Sequence, residues 1–301
     1  MDTQTLKYIG KDLYKTHILK EWKRYIVFMT RCHLHKGQIN DLLDFFKATP
    51  QRQAMLEHTT SFVEQTTRAF FYKDSTWDER IAIVKNHIEY MENIFNDEAI
   101  VKLYVNGERI RLWEDVYEEQ PVVMELWFHG GQRKEGCLSL VLSLGADELY
   151  QIMFWLAPSP EDNKLSLWIG ALQGTPNGSE IIKGLTKAFF GYRTKNLIFY
   201  GIRNVAAGLG CKHLYAVSNT GYYAMNHVRR DRKLKTSLDD FWQECEGQVC
   251  KDQRFFEMPI EEYRKSMEEL KPSKRAQHRR RFAKMDEITE SVTEVLNNYK
   301  K

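Results

Sequence analysis

Apolar positions recur with two different periods along the chain, and the change falls near residue 100. Before it the spacing is helical. Ile18, Leu19, Trp22, Tyr25, Ile26 and Met29 share one face at a 3.6-residue period, and Lys20, Lys23 and Arg24 lie on another side. Thr49 ahead of Pro50 predicts a helix start, because a proline at the first helical position gives up no needed N–H. Thr76 and Glu79 have the spacing of a capping box. Three to five helices are predicted before residue 97. From about residue 100 the period becomes two. Asn106-Gly107 stands between two apolar runs and predicts a hairpin turn. Runs over 121–129, 136–145, 148–158 and 164–174 read as an antiparallel meander, with Leu138, Leu140, Leu142 and Leu144 on one face. The pattern then turns helical again. Asn177 and Glu180 are spaced as a capping box, and Ile181, Leu185, Ala188 and Phe189 share a face. A second helix follows to Gly208 or Gly210, then a short strand over 212–219, then a helix opened by Ser237 and Asp240. A break at 271–273 precedes a last helix over about 274–297.

This order predicts an α+β (mixed α/β) fold: a helical N-terminal region, 1–99, packed on an antiparallel-rich mixed sheet with flanking helices. The sheet and its helices fill 100–270, and a basic C-terminal helix occupies 271–301. A chain of 301 residues with 43% hydrophobic and 28% charged residues has ordinary globular composition, which excludes wholesale disorder and collagen. Its net charge of +3 is too small to argue for nucleic acid globally. No run of eighteen apolar residues and no signal-peptide pattern is present, so a cytoplasmic chain is expected, free or peripheral to the inner membrane. Five scattered cysteines read as reduced thiols rather than a disulfide framework.

Several segments together resemble the VirK/YbjX family of Gram-negative bacterial proteins. They are "IGALQG" (169–174), "LTKAFFGYRTKNLIF" (185–199), "GIRNVAAGLGCKHLYAVSN" (201–219), "LDDFWQEC" (238–245) and "PSKRAQHRRRFAKMDEI" (272–288). Two positions depart from the family pattern: Phe190 stands where His is common and Thr194 where Pro is common, and position 190 is given no catalytic role. The resemblance implies a virulence-associated setting linked to the cell envelope and to surface virulence proteins. It brings no agreed reaction.

The candidate chemistry lies largely in these segments. A strand running through a glycine loop into a helix N-terminus makes an anion site, here from Gln173, Gly174, Asn177, Gly178 and Ser179. This order of meander, loop and helix is also loosely similar to acetyltransferases of the GNAT type, in which such a loop holds coenzyme A. An acyltransferase using acyl-CoA or an acyl carrier is therefore the enzyme alternative to an accessory role. Lys187 and Arg193 could reach an anion near the loop. Ser218 and Asn219 follow a strand end, where α/β sites place polar contacts, and Tyr222 or Tyr223 could act as an acid. Lys274, Arg275, Arg279, Arg280 and Arg281 form the strongest charge asymmetry in the chain. They suit an anionic membrane surface or an envelope-biogenesis protein, with nucleic acid the weaker expectation. Cys32, His33 and His35 lack the second ligand pair that zinc needs, so no metal site is assigned.

Overall fold

The computed structural model describes residues 3–128, 134–175, 179–226 and 236–301. Seven helices open the chain: α1 (Thr3–Leu13), α2 (Leu19–Leu34), α3 (Lys36–Lys47), α4 (Pro50–His58), α5 (Ser61–Thr67), α6 (Trp77–Ile94) and α7 (Asp97–Ile100). The caps are where local chemistry puts them. Thr49 accepts from the Arg52 N–H with Pro50 at the first position. Thr76 and Glu79 close a full capping box on α6. In α2 only Tyr25 and Met29 of the expected apolar face pack against the core. Ile18, Leu19, Trp22 and Ile26 are exposed, and the helix buries Phe28 and Cys32 instead. The residues that α1 and α5 meet, not the apolar count, choose which side of α2 is covered.

The hairpin expected at Asn106-Gly107 is not there. Residues 97–105 are helical, first as α7 and then as a π-helical turn. Ala99, Ile100, Leu103 and Tyr104 are buried at helical spacing. Asn106 donates its N–H to the Val101 carbonyl, and Gly107, at φ 66°, ends the helix in the left-handed region. The first hairpin lies further on. It joins β1 (Arg109–Tyr117) to β2 (Gln120–Trp127) through Glu118 and Glu119, both at positive φ.

The meander continues through β3 (Leu138–Leu144), β4 (Asp147–Pro158) and β5 (Leu165–Gly174). Helices α8 (Ser179–Ala188) and α9 (Thr194–Gly208) then cross over to β6 (His213–Val217). After it come α10 (Leu238–Glu244), β7 (Gln248–Val249), β8 (Phe255–Met258) and the long α11 (Pro272–Tyr299). The eight strands form one sheet in the order β1-β2-β3-β4-β5-β6-β8-β7. Among the described residues every pairing is antiparallel except β5 with β6. The fold is thus the α+β class expected. Helix α9 packs on β3, β4 and β5, with α11 against it and β1, while α6 packs on β4. Strand β3 is buried along its whole length, as a strand covered on both faces must be.

His87 of α6 shows how the helical region is keyed to the sheet. Its Nδ1 accepts the Leu156 N–H of β4 at 3.0 Å, and its Nε2 faces the Tyr104 hydroxyl at 2.7 Å. Complete burial pulls its pKa down to about 3.

Candidate functional site

Strands β5 and β6 are hydrogen-bonded only from Ser166–His213 to Ile169–Ala216. Beyond Ile169, β5 bulges at Gly170 and runs on beside β4 alone, while β6 ends at Val217 beside β8. The one parallel pair therefore forks at its carboxyl end, where crossover folds place ligands. The segment 134–137 enters this fork. It is held by Phe71 N–H to the Lys134 carbonyl (2.8 Å), Gln65 Nε2 to the Gly136 carbonyl (2.7 Å) and Cys137 N–H to the Phe154 carbonyl (2.9 Å). Gly170 lets it in: a Cβ there would fall 1.8 Å from the Glu135 carbonyl oxygen.

Glu135 is the group the fork encloses. It is only 4% exposed. Gln173, at the end of β5, and the Tyr222 hydroxyl, beyond β6, each donate to its Oε1 at 3.2 Å. Tyr223 also bonds the carboxyl. Burial outweighs these donors and the nearby Lys134 cation, and pushes the Glu135 pKa up to about 7. Burial and Glu135 together push the Tyr222 hydroxyl above its ordinary range, so it remains a donor. At neutral pH the fork thus holds a carboxyl poised to take or give a proton, ringed by groups that keep theirs.

Three of the residues singled out from the sequence, Gln173, Tyr222 and Tyr223, meet at this carboxyl. The others are placed elsewhere. Asn177 and Gly178 lie outside the described residues, as does the side chain of Ser179. Gly174 faces the Tyr150 ring, 2.8 Å from where its Cβ would be. Lys187 is exposed in the last turn of α8, about 12 Å along the helix from its start. Arg193 pairs with Glu244 and donates to Asn196. Ser218 fastens the β7–β8 connection through the Gln253 carbonyl (2.8 Å). Asn219 accepts from the Leu238 N–H and donates to Ser237, so it caps α10. On α11, Lys274, Arg279 and Arg280 are exposed, whereas Arg275 donates to the Leu270 carbonyl and Arg281 to the Phe190 carbonyl.

Glu135 itself was not among the sequence candidates. In "QRKEGCLS" it reads as one more surface charge, and only the crossing of this segment over Gly170 buries it. A second feature also lay hidden. A cleft of about 870 Å³ opens beside the fork, walled by Trp155, Trp168, Tyr215 and Phe255, with Arg254 and Glu161 at its rim. Tyr72 lines it and pairs by backbone with Tyr222. At its edge Glu161, His213 and Glu257 bring one potential ligand atom each within 4.8 Å of one another. His213 faces Glu257 through Nδ1 (2.8 Å) and Asp162 through Nε2 (3.2 Å), which raises its pKa and makes the cluster a proton holder. Burial pushes the thiol of the nearby Cys211 up to about 12. Cys32 is likewise buried, while His35 stacks on Trp77.

Fold and site together define an α+β protein whose meander is closed by one parallel crossover, with an internal carboxyl in the resulting fork. The chain belongs to the VirK/YbjX family: the family described as "Protein of unknown function (DUF535)" matches it over residues 17–294. It is 31% identical to the uncharacterized protein YbjX of Escherichia coli (strain K12) over 131 residues, 42% of this chain and 39% of that one. The match with YbjX thus spans about two fifths of its length. An uncharacterized protein of Haemophilus influenzae is 21% identical over 274 residues, 87% of each chain. No solved structure matches. Among the described residues no helix is long and apolar enough to cross a membrane.

Proposed function

We propose that this chain is an acyltransferase-like protein that serves envelope or surface virulence-factor production, with Glu135 as its acid–base group. The observation that carries the reaction class is the fork: a parallel strand pair that parts at a bulge around a carboxyl with a pKa of about 7. Acyl transfer needs one group to take a proton from the acceptor and one to give a proton to the leaving thiol. Glu135 suits both tasks in turn, taking the acceptor's proton and handing it to the leaving thiolate, while Tyr222 keeps its own proton and holds the carboxyl by donating to it. The biological setting comes from the VirK/YbjX resemblance, and the geometry of the fork is independent of it.

The two parts are tested separately. Titration calorimetry with coenzyme A and acetyl-CoA at low and high salt should show saturable, salt-resistant binding. Glu135→Gln should bind equally well and lose at least about a hundredfold in thiol release, with the wild-type pH profile turning near 7. Absence of binding, or full activity in the variant, defeats the acyltransferase reading. Deletion of the gene should alter envelope resistance or the level of a surface virulence protein, and unchanged values for both defeat the setting.

A further inference from the structure

On the α9 side of the sheet a different cleft, of about 650 Å³, lies between α8, α9 and α10. The N-terminus of α9, a helix of 15 residues, opens into it, and no side chain caps that first turn. A helix start left in this way presents free N–H groups and the positive end of the helix dipole. Thr194, the first residue of α9, lines the cleft and is fully buried, and its Oγ1 has no hydrogen-bond partner among the described residues. A buried hydroxyl without a partner is unusual and calls for an explanation. Lys183, Arg193 and Lys195 supply positive charge around it, against Asp240 and Glu244. Glu244 is taken up by Arg193, which leaves two lysines facing one aspartate. The Lys195 ammonium sits 3.9 Å over the Phe241 ring, so its stem is ordered and its charge is held in the cleft.

We infer that this cleft binds the phosphate or pyrophosphate group of a ligand, seated on the first turn of α9 between Lys195 and Lys183, with Thr194 as a hydroxyl donor. The site is separate from the fork, and it does not rest on acyl transfer, since any phosphorylated ligand would meet the same groups. It is also separate from the start of α8, where the sequence alone places an anion.

The test is calorimetric titration of the full chain with sodium pyrophosphate. Wild type should give saturable binding that weakens as salt rises. Lys195→Met keeps the stem and should weaken binding by about tenfold, as expected for loss of one charge-assisted contact. Thr194→Val should weaken binding several-fold while melting no lower than wild type in the absence of ligand, because it removes only an unpaired hydroxyl. Lys187→Met and Glu135→Gln should bind as wild type does, so failure of the fork's chemistry leaves this result standing. Phosphatidylcholine vesicles with and without phosphatidic acid separate the sources. Lys195-dependent binding to the acidic vesicles marks a lipid headgroup, and binding to pyrophosphate alone marks a soluble ligand. No saturable heat in either arm, or equal affinity in Lys195→Met and wild type, overturns the inference.

Discussion

Replacing Glu135 with glutamine keeps the shape of the buried side chain and removes its titration, so it exposes how protons and folding are linked at the fork. The folded carboxyl titrates near 7 against an ordinary value of 4.5. Its pKa is raised in the folded state. Its contribution to stability is therefore fully present below about pH 4.5 and is lost as pH rises through 7. The separation of about 2.5 pH units corresponds to roughly 3.4 kcal/mol over the full window at ~1.36 kcal/mol per unit. Between pH 7 and pH 5 alone it amounts to about 2 kcal/mol. His87 acts in the opposite direction. Its folded pKa lies near 3 against an ordinary 6.5, so stability present above 6.5 is lost as pH falls, again by about 2 kcal/mol between pH 7 and pH 5. The two slopes nearly cancel in the wild type. Glu135→Gln should remove the Glu135 slope and leave that of His87 in place. In urea titrations at constant ionic strength, the stability of wild type relative to the variant should grow by about 2 kcal/mol from pH 7 to pH 5, with unchanged denaturant slopes. A difference that stays constant within about 0.5 kcal/mol over that range would refute the assignment of a high-pKa carboxyl to position 135.

Gly170→Ala would place a methyl group on the Glu135 carbonyl oxygen, a backbone atom that cannot rotate away, and should destabilise by about 3 kcal/mol, read as a lower melting temperature. Arg281→Ala should cost about 1.5 kcal/mol in urea titration, because it removes a donor to the Phe190 carbonyl, while Arg280→Ala on the exposed side of α11 should cost under about 0.5 kcal/mol. If the exposed cations of α11 dock on an anionic bilayer, charge reversal at Lys274, Arg279 and Arg280 should reduce sedimentation with acidic vesicles, each charge counting for about 1 kcal/mol. Trp22, exposed on α2 beside Lys23, tests the other basic surface: a blue shift of its emission with the same vesicles would place α2 at the lipid, and none would leave α11 alone there.

What the sequence made legible was local. Thr49, Thr76 with Glu79, and Ser237 cap helices because the partner N–H is three residues away, and no distant residue is needed to see it. The meander from 121 to 174 was legible because a strand's alternation is written in its own side chains. Where two readings compete, tertiary contact decides. Asn106-Gly107 serves a hairpin or a helix end equally well, and burial of Leu103 and Tyr104 selects the helix end. The actual hairpin turns on Glu118-Glu119, a pair with no turn signature, because strands β1 and β2 impose positive φ on whatever lies between them. Strands β7 and β8 are too short to show a period, and they were not foreseen.

The candidate site shows the same division. Gln173, Tyr222 and Tyr223 stand out by their chemistry and place in the chain, yet the residue that unites them is 38 positions from Gln173 and 87 from Tyr222. Its importance follows from three facts that no local window contains. A bulge at Gly170 opens room, a crossover makes β5 and β6 the one parallel pair, and the segment around Glu135 fills the gap they leave. Ser218 and Asn219 stand at an equally suggestive strand end, but their hydrogen bonds are consumed in fastening β8 and capping α10. A polar residue whose bonds are spent on the scaffold has little left for a ligand. By that measure Glu135, with a proton held near neutrality, and Thr194, with a hydroxyl that has no partner among the described residues, have chemistry still to use. They lie by different faces of the sheet, Glu135 beside Phe71 and Tyr222 and Thr194 in the cleft under α8 and α10.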